Sequence, residues 1–379
     1  MRVYLDNAAT TPILPEVVDE MCRCLRDQFG NPSSTHYFGR QAKAEIETAR
    51  RKIASHLNCK ASEIIFTSGG TEADNMVFHT AIHGLKVEQI ITSPIEHHAV
   101  LHTAEHLAEQ FQIELQLVRV DEQGHVDLKH LEELLQNGKK TLVSLMHANN
   151  EIGTLLPIRQ TGELCHKYGA YFHSDTVQTM GHYRFDLQEL PVDFVTCSAH
   201  KLHGPKGVGF LYANKQIKTE IMIHGGAQER GLRSGTENIS GIVGLVKALD
   251  LAYTDLEEHQ NHVQQLKSYL IEKLQRNFPD GGFHGDIRSE QSLYTVLNCW
   301  FPRTDKAAML LFTLDLKGIA CSGGSACSSG ATKGSHVLEG IGSDLSVPNV
   351  RFSFSRLNTI EEVDFVVEQL NELYQLALA

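Results

Sequence analysis

Lys201 stands where a lysine can act as a nucleophile. It follows the apolar, β-branched run Asp193–Cys197, which reads as a buried strand, and then the small and polar residues Ser198, Ala199 and His200. The turn signal Gly204-Pro205 comes next, and a second strand is expected over Val208–Tyr212. A lysine at the end of a buried strand is poorly hydrated, so its pKa should fall and the neutral amine becomes available to form a Schiff base with an aldehyde. For an isolated residue, a solvated loop lysine is the ordinary alternative.

Five further constellations shift that balance. Phe66-Thr-Ser-Gly-Gly-Thr-Glu-Ala-Asp-Asn75 reads as a strand, a glycine turn and a helix start. There, free N–H groups and the helix dipole face an anion, Gly70 allows close backbone approach and Thr71 adds a hydroxyl. The plain alternative is a helix capped by Thr71 or Ser68. With no Walker-type ending and no GxGxxG fingerprint, a nucleotide is not the expected anion. In Tyr171-Phe-His-Ser-Asp-Thr-Val-Gln178, Asp175 ends a buried strand, where an unpaired carboxylate is costly. Pairing with a protonated pyridine nitrogen would offset that cost and hold the ring as an electron sink, with Gln178 within reach of the same ring. A helix N-cap aspartate is the alternative. Ser93-Pro-Ile-Glu-His-His98 ends a strand with imidazoles able to stack on a flat cofactor. His98, His102 and His106 share one helix face, but no zincin pattern, acid or thiolate accompanies them, so no metal is expected.

Two patterns near the end of the chain add a thiol and a guanidinium. Cys321-Ser-Gly-Gly-Ser-Ala-Cys-Ser-Ser-Gly330 places Cys327 on an exposed loop whose flanks offer no apolar shell, whereas Cys197 and Cys299 fit buried positions. Such a thiol suits transfer between a substrate and an acceptor, given a lowered pKa. Cys321 is expected to be a structural bystander. In Val350-Arg-Phe-Ser-Phe-Ser355 the alternation turns Arg351 to the side of Ser353 and Ser355, away from Phe352 and Phe354. A guanidinium there suits the carboxylate of an amino acid, the alternative being a surface arginine on an edge strand.

The elements that must position these residues alternate. Strand patterns over Ile64–Phe66, Gln89–Thr92, Glu114–Val120, Thr141–Met146, Tyr171–Phe172, Phe194–Cys197 and Val208–Tyr212 are separated by helical patterns near 72–83, 98–110, 128–136 and 157–168. That rhythm predicts an α/β fold: a mainly parallel seven-stranded sheet covered by helices, with ligands beyond the carboxyl ends of its strands. A short N-terminal strand precedes helices near 15–26 and 40–57, and one long helix is expected from Ile239 to Phe278. A smaller α+β domain then follows, with strands over Leu293–Leu297 and Val350–Ser355 and helices near 307–316 and 359–376, and the N-terminal strand could join it. The expected division is a large domain over 14–253 and a small one over 1–13 and 254–379.

Composition narrows the function classes. A chain of 379 residues with a formal charge of −12 disfavours nucleic acid and anionic membranes as partners. No apolar run reaches bilayer length and the N-terminus has no signal-peptide pattern. Eight cysteines without framework spacing fit a reducing cytoplasm.

Taken together, these residues describe a pyridoxal-phosphate enzyme, and the chain closely resembles the NifS/IscS-type cysteine desulfurases of the class V aminotransferases, fold type I. The resemblance runs through Leu5–Thr11, Gly30–Pro32, Thr67–Asn75, Glu96-His97, Met146–Gly153, Asp175–Gln178, Ser198–Lys201, Gly204–Gly207, Glu229–Thr236 and Gly324–Cys327. It implies that Lys201 holds the cofactor and shuttles protons, Asp175 pairs with its ring nitrogen, Gln178 meets its ring oxygen and His97 stacks on the ring. Gly70, Thr71, Ser198 and His200 would bind the phosphate, joined by Thr236 from a second subunit of a homodimer. Asn150, near the cofactor, would position substrate together with Asn31 and Arg351. Cys327 would take sulfur from L-cysteine as a persulfide, release L-alanine and pass sulfur to an iron–sulfur scaffold or a tRNA-thiolation protein. The competing readings are a selenocysteine lyase, another class V aminotransferase and a non-enzymatic scaffold; intact Lys201, Asp175 and Cys327 argue against the last.

Overall fold

The computed structural model describes residues 1–288, 290–303, 309–323 and 334–378; Cys327 and Gly324 lie outside the described residues. Chain order opens with β1 (Val3–Tyr4), α1 (Pro15–Asp27) and α2 (Tyr37–His56). Alternation follows through β2 (Ile64–Thr67), α3 (Gly70–His79), β3 (Gln89–Thr92), α4 (His98–Phe111), β4 (Glu114–Leu117), α5 (Leu128–Leu135), β5 (Thr141–Ser144), α6 (Ile158–Lys167), β6 (Tyr171–Asp175), β7 (Phe194–Ser198) and β8 (Gly209–Ala213). These strands form a seven-stranded sheet in the order β2-β8-β7-β6-β5-β3-β4. Every pairing is parallel except the two made by β8. Helices on both faces explain why β2, β3, β5, β7 and β8 are buried along their whole length and read as near-continuous apolar runs.

Two expectations are corrected. The strand predicted to reach Val120 stops at Leu117, because its only neighbour, β3, ends at the paired Thr92. The long helix is two: α7 (Ile239–Thr254) and α8 (Leu256–Asn277), separated at Asp255, whose φ/ψ of −115°/32° leaves the helical region. Glu257 and Glu258 lie in the first turn of α8, where the helix dipole favours acidic side chains. α7 packs on α1 and α2, whereas α8 packs on the last helix, α11 (Ile360–Leu378).

Between α8 and α11 come β9 (Gly282–His284), β10 (Val296–Trp300), α9 (Leu310–Leu316), β11 (Ile319–Ala320), α10 (His336–Gly340) and β12 (Asn349–Ser353). β9, β10 and β12 make an antiparallel sheet, and β1 pairs in parallel with β11. One apolar core lies under the large sheet on the side of α2 and α7. Another joins Val3 and Leu5 to Val263, Leu297, Phe352, Phe354 and Val366. The N-terminal strand is therefore packed against the C-terminal third of the chain.

Candidate active site

The parallel strands deliver their functional residues to one edge of the sheet. β6 ends at Asp175, β7 runs through Ser198 into a 3₁₀ turn closing at Lys201, and the chain after β3 reaches His97. These residues line a cavity of about 390 Å³ together with Gly70, Thr71, Asn150, Gln178, His200 and Arg351. Ten sites expected from the sequence to serve cofactor or substrate thus meet in one place, beyond the carboxyl ends of the strands. Lys201 is half-buried, and its Nζ donates to the carbonyls of Ala8 (2.5 Å) and Ala9 (2.9 Å). Gln178 Nε2 donates to the same Ala8 carbonyl at 3.1 Å.

Arg351 is buried rather than on a surface edge, at 1 % exposure. Its Nη2 meets Asp6 Oδ1 at 2.8 Å and its Nη1 donates to the Asn150 carbonyl at 2.8 Å, while Nε finds no partner among the described residues. A guanidinium held on two sides, with a buried donor left over, is prepared for an anionic ligand. Ser353, on the same side of β12, accepts from the Ala8 N–H, while Phe352 and Phe354 enter the core.

Burial governs the charges. It raises Asp175 to about 6, opposed by the Val177 N–H on Oδ1 (2.8 Å) and by Lys201. That N–H closes a turn rather than capping a helix, since no helix starts after Asp175, and the carboxylate lines the cavity. His97 accepts from the Ala99 N–H and so caps α4; burial, then Lys201, pushes its imidazole down to about 4, so it is neutral at pH 7. Burial and the neighbouring lysines hold His200 at about 4 as well. Cys321 is pushed up to about 12 by burial and by Asp6, the state of an unreactive thiol.

Asn31 and Thr236 are exposed and do not line the cavity of their own chain. Their segments are neighbours all the same, since Gln228 donates to Ser33 Oγ at 3.5 Å and accepts from the Gly235 N–H at 3.1 Å. The segment leading to Thr236 is tied down by Arg50 and Glu229, a bidentate pair with bonds of 2.6 and 2.7 Å, and by Arg233 on Glu72. Sequence reasoning did not single out Asp6, Glu72, Asp74, Lys206 or the Ala8 and Ala9 carbonyls, although each falls within or beside a quoted motif. Cys327 lies outside the described residues, but both ends of its segment are anchored near the cavity. Ser322 donates to Asp6, Ser335 donates to Glu151, and the His336 Nε2–H meets the Glu96 carbonyl.

Pyridoxal phosphate fits this donor set. α3 starts after Gly69, which sits at φ +153°, and no side chain caps it, so its first N–H groups are open to a phosphate. Neither Ser68 nor Thr71 is the cap. A Cβ on Gly70 would come within 2.8 Å of Val177 Cγ2, so the close approach of this helix start to the strand ends depends on glycine. Among the described residues, no group of three His, Cys, Asp or Glu is arranged to hold a metal; His98 stacks on the His102 ring at 4.4 Å and meets the His336 ring at a tilt at 4.3 Å.

Comparison with known proteins places this geometry. The family model for aminotransferase class V matches residues 3–366. A cysteine desulfurase IscS of Dictyoglomus turgidum is 42% identical over 378 residues, covering 99% of this chain and 95% of the relative. Among solved structures, a NifS-like protein has a TM-score of 0.90 at 38% identity, covering 99% of this chain and all of the other. The X-ray structure of a NifS-like protein from Rickettsia africae has a TM-score of 0.88 at 34% identity, over 99% of this chain and 100% of that one. The chain belongs to the pyridoxal-phosphate-dependent class V aminotransferase family, among its IscS- and NifS-type cysteine desulfurases.

Proposed function

We infer that the protein is a cysteine desulfurase that removes sulfur from L-cysteine, releases L-alanine and carries the sulfur as a persulfide on Cys327. The observation that supports it most is the meeting of Lys201, Asp175 and Arg351 in one cavity beside an uncapped helix start. Bound pyridoxal phosphate supplies an aldehyde and an electron sink that loosens the bonds of the substrate. Lys201 anchors it, and its amine moves the proton at the substrate Cα once released. Asp175 holds the ring nitrogen, Gln178 its ring oxygen, and neutral His97 covers the ring face. The N–H groups at the start of α3, with Thr71, Ser198 and His200, hold the phosphate. Arg351 holds the substrate carboxylate, aided by Asn150. The Cys327 thiolate attacks the substrate sulfur; the S–S bond forms, the Cβ–S bond breaks, and Cβ takes up a proton to give alanine.

Asn31 and Thr236 form an exposed surface that we assign to contact with a second copy, Thr236 completing its phosphate site. The persulfide then goes to an acceptor protein, an iron–sulfur scaffold or a tRNA-thiolation protein. The division into domains over 14–253 and over 1–13 plus 254–379 is supported by the two apolar cores. All seven described cysteines are free, which supports a cytoplasmic setting, and no described helix is long and apolar enough to cross a membrane. The deciding experiment is Cys327→Ala. It should keep the cofactor absorbance and lose alanine and sulfide release, whereas retained alanine production would favour a selenocysteine lyase or another class V reaction.

A further inference from the structure

Beneath the cavity lies a second aspartate that none of the roles above uses. Asp74, on α3, is 1 % exposed and lines the cavity, yet its Oδ1 has no hydrogen-bond partner among the described residues. Its nearest basic group, His173 Nε2, is 3.5 Å away and fully buried. His173 is a poor counter-cation: it is fully buried, and its Nδ1 (2.8 Å from Ser144 Oγ) and Nε2 (3.1 Å from Thr196 Oγ1) bond to hydroxyls rather than to a carboxylate. The Thr196 hydroxyl also bonds to Asp74. A neutral Asp74 fits one order of this row: the Asp74 O–H donates to Thr196 Oγ1, the Thr196 O–H donates to His173 Nε2, and the His173 Nδ1–H donates to Ser144 Oγ.

We propose that Asp74 is a positioning residue that stays a neutral carboxylic acid, so that Asp175 alone presents a negative charge to the ring nitrogen of the cofactor. The proposal rests on the role given to Asp175 above. The titratable groups facing Asp74 are Asp175 and His173 from β6 and Glu96 from the segment after β3, with Lys201 beyond Asp175. Two of the three nearest are acids, and two carboxylates in one dry site cannot both ionise cheaply. Burial and the Asp175 charge accordingly push Asp74 well above the usual carboxylate range, and burial holds His173 near 3. The proton therefore belongs to Asp74, on the row fixed by Ser144, His173 and Thr196.

The test uses Asp74→Asn, which replaces a neutral acid by a neutral amide of the same shape. Infrared difference spectra of the cofactor-free proteins at pH 7, wild type minus variant, should contain a protonated-carboxyl stretch. Pyridoxal phosphate titrated into the variant should bind within about threefold of wild type, since no charge is lost on forming it. A missing band, or an affinity loss beyond tenfold in a folded variant, would overturn the proposal by showing that Asp74 works as an anion. Should Asp74→Asn fold poorly, ¹³C-aspartate NMR of the wild type reads the same protonation state. Asp175→Asn keeps the two claims separate: an unchanged cofactor spectrum there would refute the Asp175 role and leave the Asp74 band untouched.

Discussion

Replacing Arg351 by lysine isolates what the guanidinium fork contributes. The side chain is buried, so Arg351→Ala would leave Asp6 unpaired and open a void, mixing folding with function. Lysine keeps the charge and most of the volume. In the native protein one Nη2–H goes to Asp6 and one Nη1–H to the Asn150 carbonyl, and Nε is a buried donor with no partner among the described residues. An ammonium can keep the first two contacts but cannot project a further donor in the plane of a carboxylate. The loss is then one charge-assisted hydrogen bond, about 1.5–3 kcal/mol, or roughly ten- to 150-fold in kcat/KM. Alanine release measured against cysteine concentration should show it mainly as a higher KM, with cofactor absorbance unchanged. A KM within twofold of wild type would refute the assignment of the substrate carboxylate to Arg351. Loss of cofactor absorbance would instead show that the arginine serves the fold of the site.

Three further outcomes follow from the same geometry. Glu229→Ala leaves the buried Arg50 only Glu47 and the Ile64 carbonyl as polar partners among the described residues and also removes the acceptor of the Phe66 N–H, so unfolding should become easier by about 3–5 kcal/mol, read by urea denaturation. Glu96 is raised by burial to about 8, so the folded protein holds a proton that the unfolded chain releases near pH 4.3. Its contribution is fully present below that unfolded value and is lost as pH rises through about 8, with a limiting slope of about 1.4 kcal/mol per pH unit; Glu96→Gln should remove that slope from stability measured between pH 5 and 8. Cys321→Ala should retain alanine release within about twofold, because a thiol pushed up to about 12 is not a nucleophile at pH 7; loss of persulfide in that variant would overturn its bystander role.

Much of the site was legible because its residues sit at punctuation points of a βα pattern. Asp175 ends a short buried strand, Lys201 and Gly70 each follow one, and Arg351 stands out by alternation within β12. What sequence could not supply are contacts between residues far apart in the chain. The Asp6 partner of Arg351 is 345 positions away, and the Glu229 partner of Arg50 is 179 away. Residue type offers Ser68 or Thr71 as a cap in place of an open helix start, but backbone geometry at Gly69 takes the position and leaves the start open. The break at Asp255 was hidden because one acidic residue between helical runs leaves no glycine or proline signal. β9 and α10 are three and five residues long, held by packing rather than by any periodicity of their own.

The central claim is that Lys201 carries the aldehyde cofactor. Borohydride reduction of the yellow enzyme, proteolysis and mass spectrometry test it directly. A pyridoxyl group on the peptide at Lys201, absent from Lys201→Ala, is the result expected; modification of another lysine, or none in a protein that retains cofactor and activity, would contradict it.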